Sequence, residues 1–214
     1  MHIEVAVAKV AKWASQESGD TLEMIERPRG GFSFVLADGQ GSGRAAKAIS
    51  QQVARKAIAE LAEGVRDGAA ARAAHDFLYT HKGGRVSATL NILSVDLTTG
   101  TLVLSRNNPH PVIVVRPDGE VNLLDAPSQP VGIYPRTRPA ITEVAMEPGL
   151  VVVVYTDGLA LAGEGRGGPM DIPAVVGEMA AQGLDARQMA DGLLARALAL
   201  EAGRPRDDIS VLVL

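Results

Sequence analysis

The chain has 214 residues, a formal net charge of −4, 46% apolar and 21% charged residues, and only 3% aromatics. This length and apolar content suit one domain, residues 1–214, with a sizeable core. The few aromatics argue against base-stacking platforms for nucleic acid, and the mild negative charge offers no polyanion-binding surface. No cysteine is present, which excludes disulfides, thiolate nucleophiles and cysteine-ligated zinc.

No apolar run approaches the ~20 residues of a membrane span. The start, Met1-His2-Ile3-Glu4, has neither a basic segment nor a long apolar one of the kind that opens a secretory leader. A cytoplasmic monomer with no membrane or nucleic-acid contact is the expectation.

In chain order, Ile3, Val5, Val7 and Val10 predict a first strand closed by Trp13, which reads as core or interface packing. Ser18-Gly19-Asp20 reads as a turn, 21–26 as a second strand, and Pro28 to Gly31 as a hairpin break with Arg27 and Arg29 solvated around it. A strand over 32–37 runs into Asp38 and the glycine-rich Gly39-Gln40-Gly41-Ser42-Gly43. Ala46, Ile49, Val53, Ala57 and Leu61 then recur at helical spacing, predicting a helix over 42–63 with Ser42 as N-cap and Gly64 as C-cap. A second helix is expected over 68–80.

From Arg85 the texture turns to short strands: 85–96, 101–105, 111–116, 120–124, 140–146 and 150–156. Turns at Thr98 to Gly100, Pro117 to Gly119 and Glu147 to Gly149 separate them. The last of these reads as a hairpin joining 140–146 to 150–156. A looser stretch, 125–139, holds four prolines. Val151 to Val154 is a continuous β-branched run, as expected of a strand buried on both faces. After Tyr155-Thr156-Asp157-Gly158 comes a glycine-rich loop, Gly163 to Gly168, that fits a mobile flap or a plain surface loop. Helices are expected over 171–182 and 185–202, and a final strand over 209–214. Strands and helices in separate runs indicate an α+β fold.

Three apolar strands carry aspartate at or next to an end: Asp38, Asp157 and Asp207/Asp208. Carboxylates gathered at one sheet end repel unless a cation neutralises them. An all-oxygen set favours Mg²⁺, Mn²⁺ or Ca²⁺. Asp-Gly is equally a common turn dipeptide. The loop after Asp38 lacks the Gly-Lys-Ser/Thr ending of a phosphate-cradling P-loop.

Ala37-Asp38-Gly39-Gln40-Gly41-Ser42-Gly43 with Ala45 and Ala46, then Tyr155-Thr156-Asp157-Gly158-Leu159, then Asp207-Asp208-Ile209-Ser210-Val211, resemble the metal-dependent PPM-type serine/threonine phosphatases. The similarity is to their SpoIIE-like branch, and in its short form to the RsbX stressosome phosphatase. Ser18-Gly19-Asp20 fits the family's first acidic motif, and Asp96 to Leu102 its mid-domain hairpin. The resemblance implies a four-layer αββα sandwich of two antiparallel sheets flanked by helices. It implies two Mn²⁺ or Mg²⁺ ions. Asp38 would bridge them, the Gly39 carbonyl would bind one, Asp157 and Asp207 the other, and Asp20 would act directly or through water. Asp207 is preferred to Asp208, which is the second acid of its pair.

The implied activity is hydrolysis of a phosphoserine or phosphothreonine protein, a phosphorylated STAS-domain or other stressosome component, by water that two metals activate. A pseudophosphatase that only binds phosphoprotein, or a hydrolase of small phosphate esters, are the alternatives. His110 and His75 are the candidate general acids, and Arg44, Arg85 and Arg106 the candidate phosphate contacts. Two departures stand out. Gln40 replaces the family's usual Met, and Asn107-Asn108-Pro109-His110-Pro111 lacks a glycine of the corresponding family segment.

Overall fold

The computed structural model describes residues 2–214; Met1, which opens the stretch read above for a leader, lies outside them. In chain order the first half comprises β1 (Ala6–Val10), β2 (Asp20–Glu26), β3 (Phe32–Gly39), α1 (Gly43–Ala62), α2 (Asp67–Lys82), β4 (Ala88–Asp96) and β5 (Thr101–Asn107). The second half comprises β6 (Val112–Val115), β7 (Val121–Leu124), β8 (Ala140–Ala145), β9 (Val151–Tyr155), α3 (Asp157–Ala160), α4 (Ile172–Ala181), α5 (Ala186–Leu200) and β10 (Ile209–Val213). The fold is α+β with two antiparallel sheets flanked by helices, as expected. The elements form two compact units.

The unit that carries Asp38 consists of Gly19–Pro109 and Ala126–Met146. Its sheet has the order β2-β3-β4-β5-β8, every pair antiparallel. Helices α1 and α2 cover one face. The predicted stripe of α1 is buried throughout, and it meets Val35, Ala37, Leu90 and Ile92 of the sheet. Small alanines at the contact (Ala46, Ala54, Ala57, Ala70, Ala71, Ala74) let helices and sheet approach closely in place of aromatic filling. Ser42 stands at the N-cap of α1 but its hydroxyl caps nothing, and Gly64 follows the C-cap Glu63 in the left-handed region.

The unit that carries Asp157 consists of the N-terminal stretch through Ser18, His110–Asp125 and Glu147–Leu214. Its sheet has the order β1-β10-β9-β6-β7, also fully antiparallel. Strand β9 lies inside it, between β10 and β6, and Val152 to Val154 are buried as their β-branched run predicts. Helices α4 and α5 pack their apolar side on this sheet through Val176, Met179, Met189, Leu193 and Ala197. A capping box, Asp185 with Gln188, starts α5.

Several expectations are corrected. The Glu147 to Gly149 turn forms, with the Leu150 N–H donating to the Glu147 carbonyl at 3.1 Å, but β8 and β9 do not pair. The chain changes unit there, so β8 joins β5 and β9 joins β6 and β10. Asp20 is the first residue of β2 rather than part of a turn. Residues 85–87 precede β4, and Asp157 opens a short helix, α3, that periodicity could not reveal in four residues. Trp13 is 58% exposed, with the Arg204 guanidinium 5.2 Å from its ring centre, a cation–π contact rather than core packing. The glycine-rich loop is tied down at its start. The Gly163 N–H donates to buried Glu201 at 2.8 Å, and Arg206 also binds that carboxylate. Burial pushes the Glu201 carboxyl up, but these donors hold it below the usual glutamate range.

Two glycines set the packing of the acidic strand ends. A Cβ on Gly39 would stand 2.1 Å from the Ala46 carbonyl oxygen of α1, and one on Gly158 would stand 2.1 Å from the Asp208 carbonyl oxygen. Both obstacles are backbone, which cannot rotate away. Gly39→Ala and Gly158→Ala are each expected to cost about 1–3 kcal/mol. At about 2–4 °C per kcal/mol for a chain of this size, calorimetry should show a lowered Tm for both, and an unchanged Tm would disprove the contact.

His75 of α2 is buried, and its Nδ1 accepts the Gly132 N–H at 3.0 Å. Burial lowers its pKa below the usual 6.5, with Asp76 opposing and Arg72 adding to the shift. The folded protein therefore binds fewer protons here than the unfolded chain. The stability this gives is full above the unfolded pKa and is lost as pH falls toward the folded one, at no more than about 1.4 kcal/mol per pH unit. Urea midpoints on either side of pH ~6.5 should show this loss in the wild type. His75→Gln should be less stable yet lack that share of the pH dependence.

Candidate metal centre

In the Asp38 unit, Val35 and Ala37 point into the helix-covered core. Strand alternation therefore sends Leu36 and Asp38 to the opposite face. Register places Asp20 directly across from Asp38 on β2 and Thr89 directly across from it on β4. Asp20 is fully buried and Asp38 half-buried. Like charges on directly opposed residues repel, and a hard cation reverses the sign of that interaction. The Thr89 hydroxyl oxygen is buried and has no hydrogen-bond partner among the described residues. A polar ligand shell beside Asp38 would satisfy it.

Helix α1 fixes this strand end. Lys47 Nζ donates to the Asp20 carbonyl at 2.6 Å and to Thr21 Oγ1 at 3.1 Å. Ser50 Oγ donates to the Gly19 carbonyl at 2.5 Å and lies 2.7 Å from Thr21 Oγ1. On the other side, Gln40 both donates its N–H to the Ser87 carbonyl and accepts the Ser87 N–H on its side-chain oxygen, each at 3.0 Å. Glutamine thus has a definite task, tying the loop after Asp38 to the start of β4. A methionine could not accept that bond on its side chain in the same way.

In the Asp157 unit, α3 begins at Asp157 with Thr156 as its N-cap. Thr156 is clasped to β10: its N–H donates to the Ser210 carbonyl at 3.1 Å, and its hydroxyl accepts the Ser210 N–H at 3.0 Å. Gly158 lies against the Asp208 backbone, so Asp157 is brought beside the Asp207-Asp208 pair. Asp208 is buried, and its carboxylate accepts the Lys12 N–H at 2.9 Å. Asp207 is half-buried and lines a cavity of about 170 Å³ with Gly158, Glu164 and Arg206.

The Asp207 carboxyl titrates above the usual aspartate range. Burial is the main cause. The Asp208 N–H (2.9 Å) opposes it, the Asp157 and Asp208 charges add to it, and Lys12 opposes it. A carboxylate that is desolvated and crowded by like charge gains from a nearby cation. The donors are all hard oxygens, which suits Mn²⁺ or Mg²⁺. Among the described residues, no three His, Cys, Asp or Glu side chains are already gathered as a metal cage. The acidic residues occur as Asp20 with Asp38 in one unit and Asp157 with Asp207 and Asp208 in the other.

The remaining candidates separate clearly. His75 is removed as a general acid, because it is buried and its Nδ1 holds the Gly132 N–H. His110 is half-buried at the start of its segment. Arg106 is no solvated charge: it is 3% exposed, and its guanidinium donates to the Asn108 and Ala126 carbonyls. Asn107 Nδ2 donates to the Gln129 carbonyl, and Ser128 hydrogen-bonds both the N–H and the carbonyl of Asn108. The glycine-free segment is thus held by the proline-rich stretch after it. Arg44 and Arg85 are exposed.

Sequence reasoning missed Lys12, Lys47, Ser50 and Thr89. Ser50 left one signal, a polar residue on the buried face of α1. The others depend on strand register and backbone hydrogen bonds between distant residues.

The family model of Stage II sporulation protein E (SpoIIE) matches residues 28–214. No curated protein matches the chain. Among solved structures, it resembles the PP2C phosphatase domain with a fragment of the regulatory domain of SpoIIE from Bacillus subtilis. That match has a TM-score of 0.84 and 21% identity, and covers 100% of this chain and 63% of that one. The RsbU and RsbW domains of Rv1364c from Mycobacterium tuberculosis match with a TM-score of 0.77 and 20% identity, over 98% of this chain and 58% of that one. A structure reported for the bacterial stressosome matches with a TM-score of 0.72 and 18% identity, over 98% and 97%. The chain thus spans less than two thirds of the first of these polypeptides. No described helix is long and apolar enough to cross a membrane. With the family model matching most of its length, the chain belongs to the Stage II sporulation protein E (SpoIIE) family, and it shares the fold of the PP2C phosphatase domain across its whole length.

Proposed function

We infer that the chain is a cytoplasmic protein serine/threonine phosphatase that uses two divalent ions, Mn²⁺ or Mg²⁺. The observation that carries this reading is the family match over residues 28–214, which contains Asp38, Asp157 and Asp207 at strand ends. Asp38 and the Gly39 carbonyl, with Asp157 and Asp207, would hold the ions, and Asp20 would support Asp38. When bound, such ions lower the pKa of a water and offset charge on the phosphoryl group.

The chain's own residues have separate tasks in this reading. Each acid of the pair accepts one backbone N–H, but Asp207 is half-buried and lines a cavity whereas Asp208 is buried, so Asp207 is the ligand of its pair. Lys47 and Ser50 hold the Asp20 end of β2 at a set depth. Lys12 limits the charge around Asp207 before any ion arrives. His110 is the imidazole that would protonate the leaving serine or threonine oxygen, and Arg44 and Arg85 are the exposed cations that would meet the phosphate.

The substrate class we favour is a phosphorylated STAS-domain protein of a partner-switching or stressosome system, with an RsbX-like role. Similarity to the RsbU and RsbW domains and to the stressosome structure supports it.

Phosphate release from a phosphoserine protein, with and without Mn²⁺, tests the reading. Wild type should require the metal. Asp38→Asn should lose on the order of 100-fold in rate and bind Mn²⁺ more weakly by calorimetry. Full activity in Asp38→Asn would overturn the assignment of Asp38 as a metal ligand. Metal binding without turnover would favour a phosphoprotein-binding module instead.

A further inference from the structure

The Asp38 unit carries an arginine-rimmed groove at the first turn of α2. Arg66, Arg72 and Arg138 line a cavity of about 670 Å³, whose floor includes Pro139 and Ile141. Asp76 is the one carboxylate in its lining. All three arginines are exposed, and no ion pair among the described residues uses them. Four other arginines of the chain do pair with carboxylates: Arg116 with Glu147, Arg187 with Asp191, Arg196 with Glu178, Arg206 with Glu201. Three guanidiniums and one carboxylate around a single groove make it a local positive patch on a chain of net charge −4.

The basic surface continues past Arg66. A second cavity, of about 390 Å³, is lined by Arg66 again and by Arg27 and Arg29 of the β2–β3 turn. Its carboxylates are engaged: Asp67 accepts from Ser94 Oγ, and Asp96 accepts the N–H groups of Thr98 and Thr99 at 2.8 and 3.1 Å. The β2–β3 register puts this turn at the end of the sheet away from Asp20 and Asp38. The groove is thus separate from the acidic strand ends of its own unit.

The floor favours an extended protein segment over a free anion. Ile141 is 53% exposed and lies against α2, where a Cβ on Gly68 would meet its Cδ1 at 2.5 Å. Ile141 belongs to β8, the last strand of its sheet, which has no strand on its outer side. An edge strand, an apolar floor and a guanidinium rim together suit a strand-like peptide with acidic and apolar side chains. We propose that the groove of Arg66, Arg72, Arg138 and Ile141 is a docking site for an extended acidic segment of a partner protein. Guanidiniums bind its carboxylates, and Ile141 receives an apolar side chain.

The probe is a fluorescein-labelled Glu-Ile-Glu-Glu-Ile-Glu peptide, with a Gln-Ile-Gln-Gln-Ile-Gln control, read by fluorescence anisotropy on the full chain. The acidic peptide should bind, lose affinity as salt rises, and outcompete the control. The combined Arg66→Glu, Arg72→Glu and Arg138→Glu variant should weaken binding about tenfold or more. Arg187→Glu, a charge reversal on the other unit, should leave it unchanged. If the triple reversal misfolds by circular dichroism, the triple Arg→Gln variant serves in its place. Asp38→Asn should bind the peptide like wild type, so this proposal and the phosphatase reading fail separately. Equal binding of both peptides overturns the proposal. So does unchanged affinity in the triple variant, or capture of phosphatidylserine vesicles through these arginines without peptide binding.

Discussion

The acidic strand ends depend on two places where backbone meets backbone with no room for a side chain. Gly39 lets β3 end against the Ala46 carbonyl of α1, and Gly158 lets α3 start against the Asp208 carbonyl before β10. Remove either contact and the aspartate before it moves. The two Asp-Gly pairs thus share one logic: the glycine sets the position of the aspartate before it, the proposed metal ligand. The missing Cβ makes way for a neighbouring carbonyl of the protein.

Much of this was legible in the chain. The α1 stripe, the β-branched run of β9 and the α+β class all follow from periodicity, because burial on one face leaves a regular mark. The aspartates at strand ends were visible for the same reason. Sheet membership was not visible. Glu147-Pro148-Gly149 makes the turn its residues favour, yet its flanking strands enter different sheets. A local turn signal reports chain direction over a few residues, whereas pairing is settled by which apolar faces must be covered. For Trp13, core or interface packing was expected; the ring is outside the core, exposed beside Arg204.

Polar side chains inside the two units explain why some residues resist a reading from sequence. Arg106, Ser50, His75 and Glu201 are each buried, and each binds backbone groups of a distant segment. Such a residue looks like a candidate catalyst when only its type is known. Its partners decide otherwise. Buried polar groups that end on backbone serve as staples, since leaving either side unsatisfied would cost about 1–3 kcal/mol. The Thr89 hydroxyl, like the Asn91 side chain and Ser105 Oγ, is buried with no hydrogen-bond partner among the described residues, and Thr89 faces the same side as Asp38.

The sheet order of the Asp157 unit has a consequence for how the protein is made. Strand β10 lies between β1 and β9, so the strand latest in the chain is an inner one. On the ribosome, β1 emerges first and has no partner on this sheet until β10 follows, nearly the whole chain later. The Asp38 unit can assemble β2 through β5 from neighbours already out. Biogenesis is therefore asymmetric: one half can mature during translation, while the other waits with an open seam. That seam is a natural client surface for a chaperone during the interval.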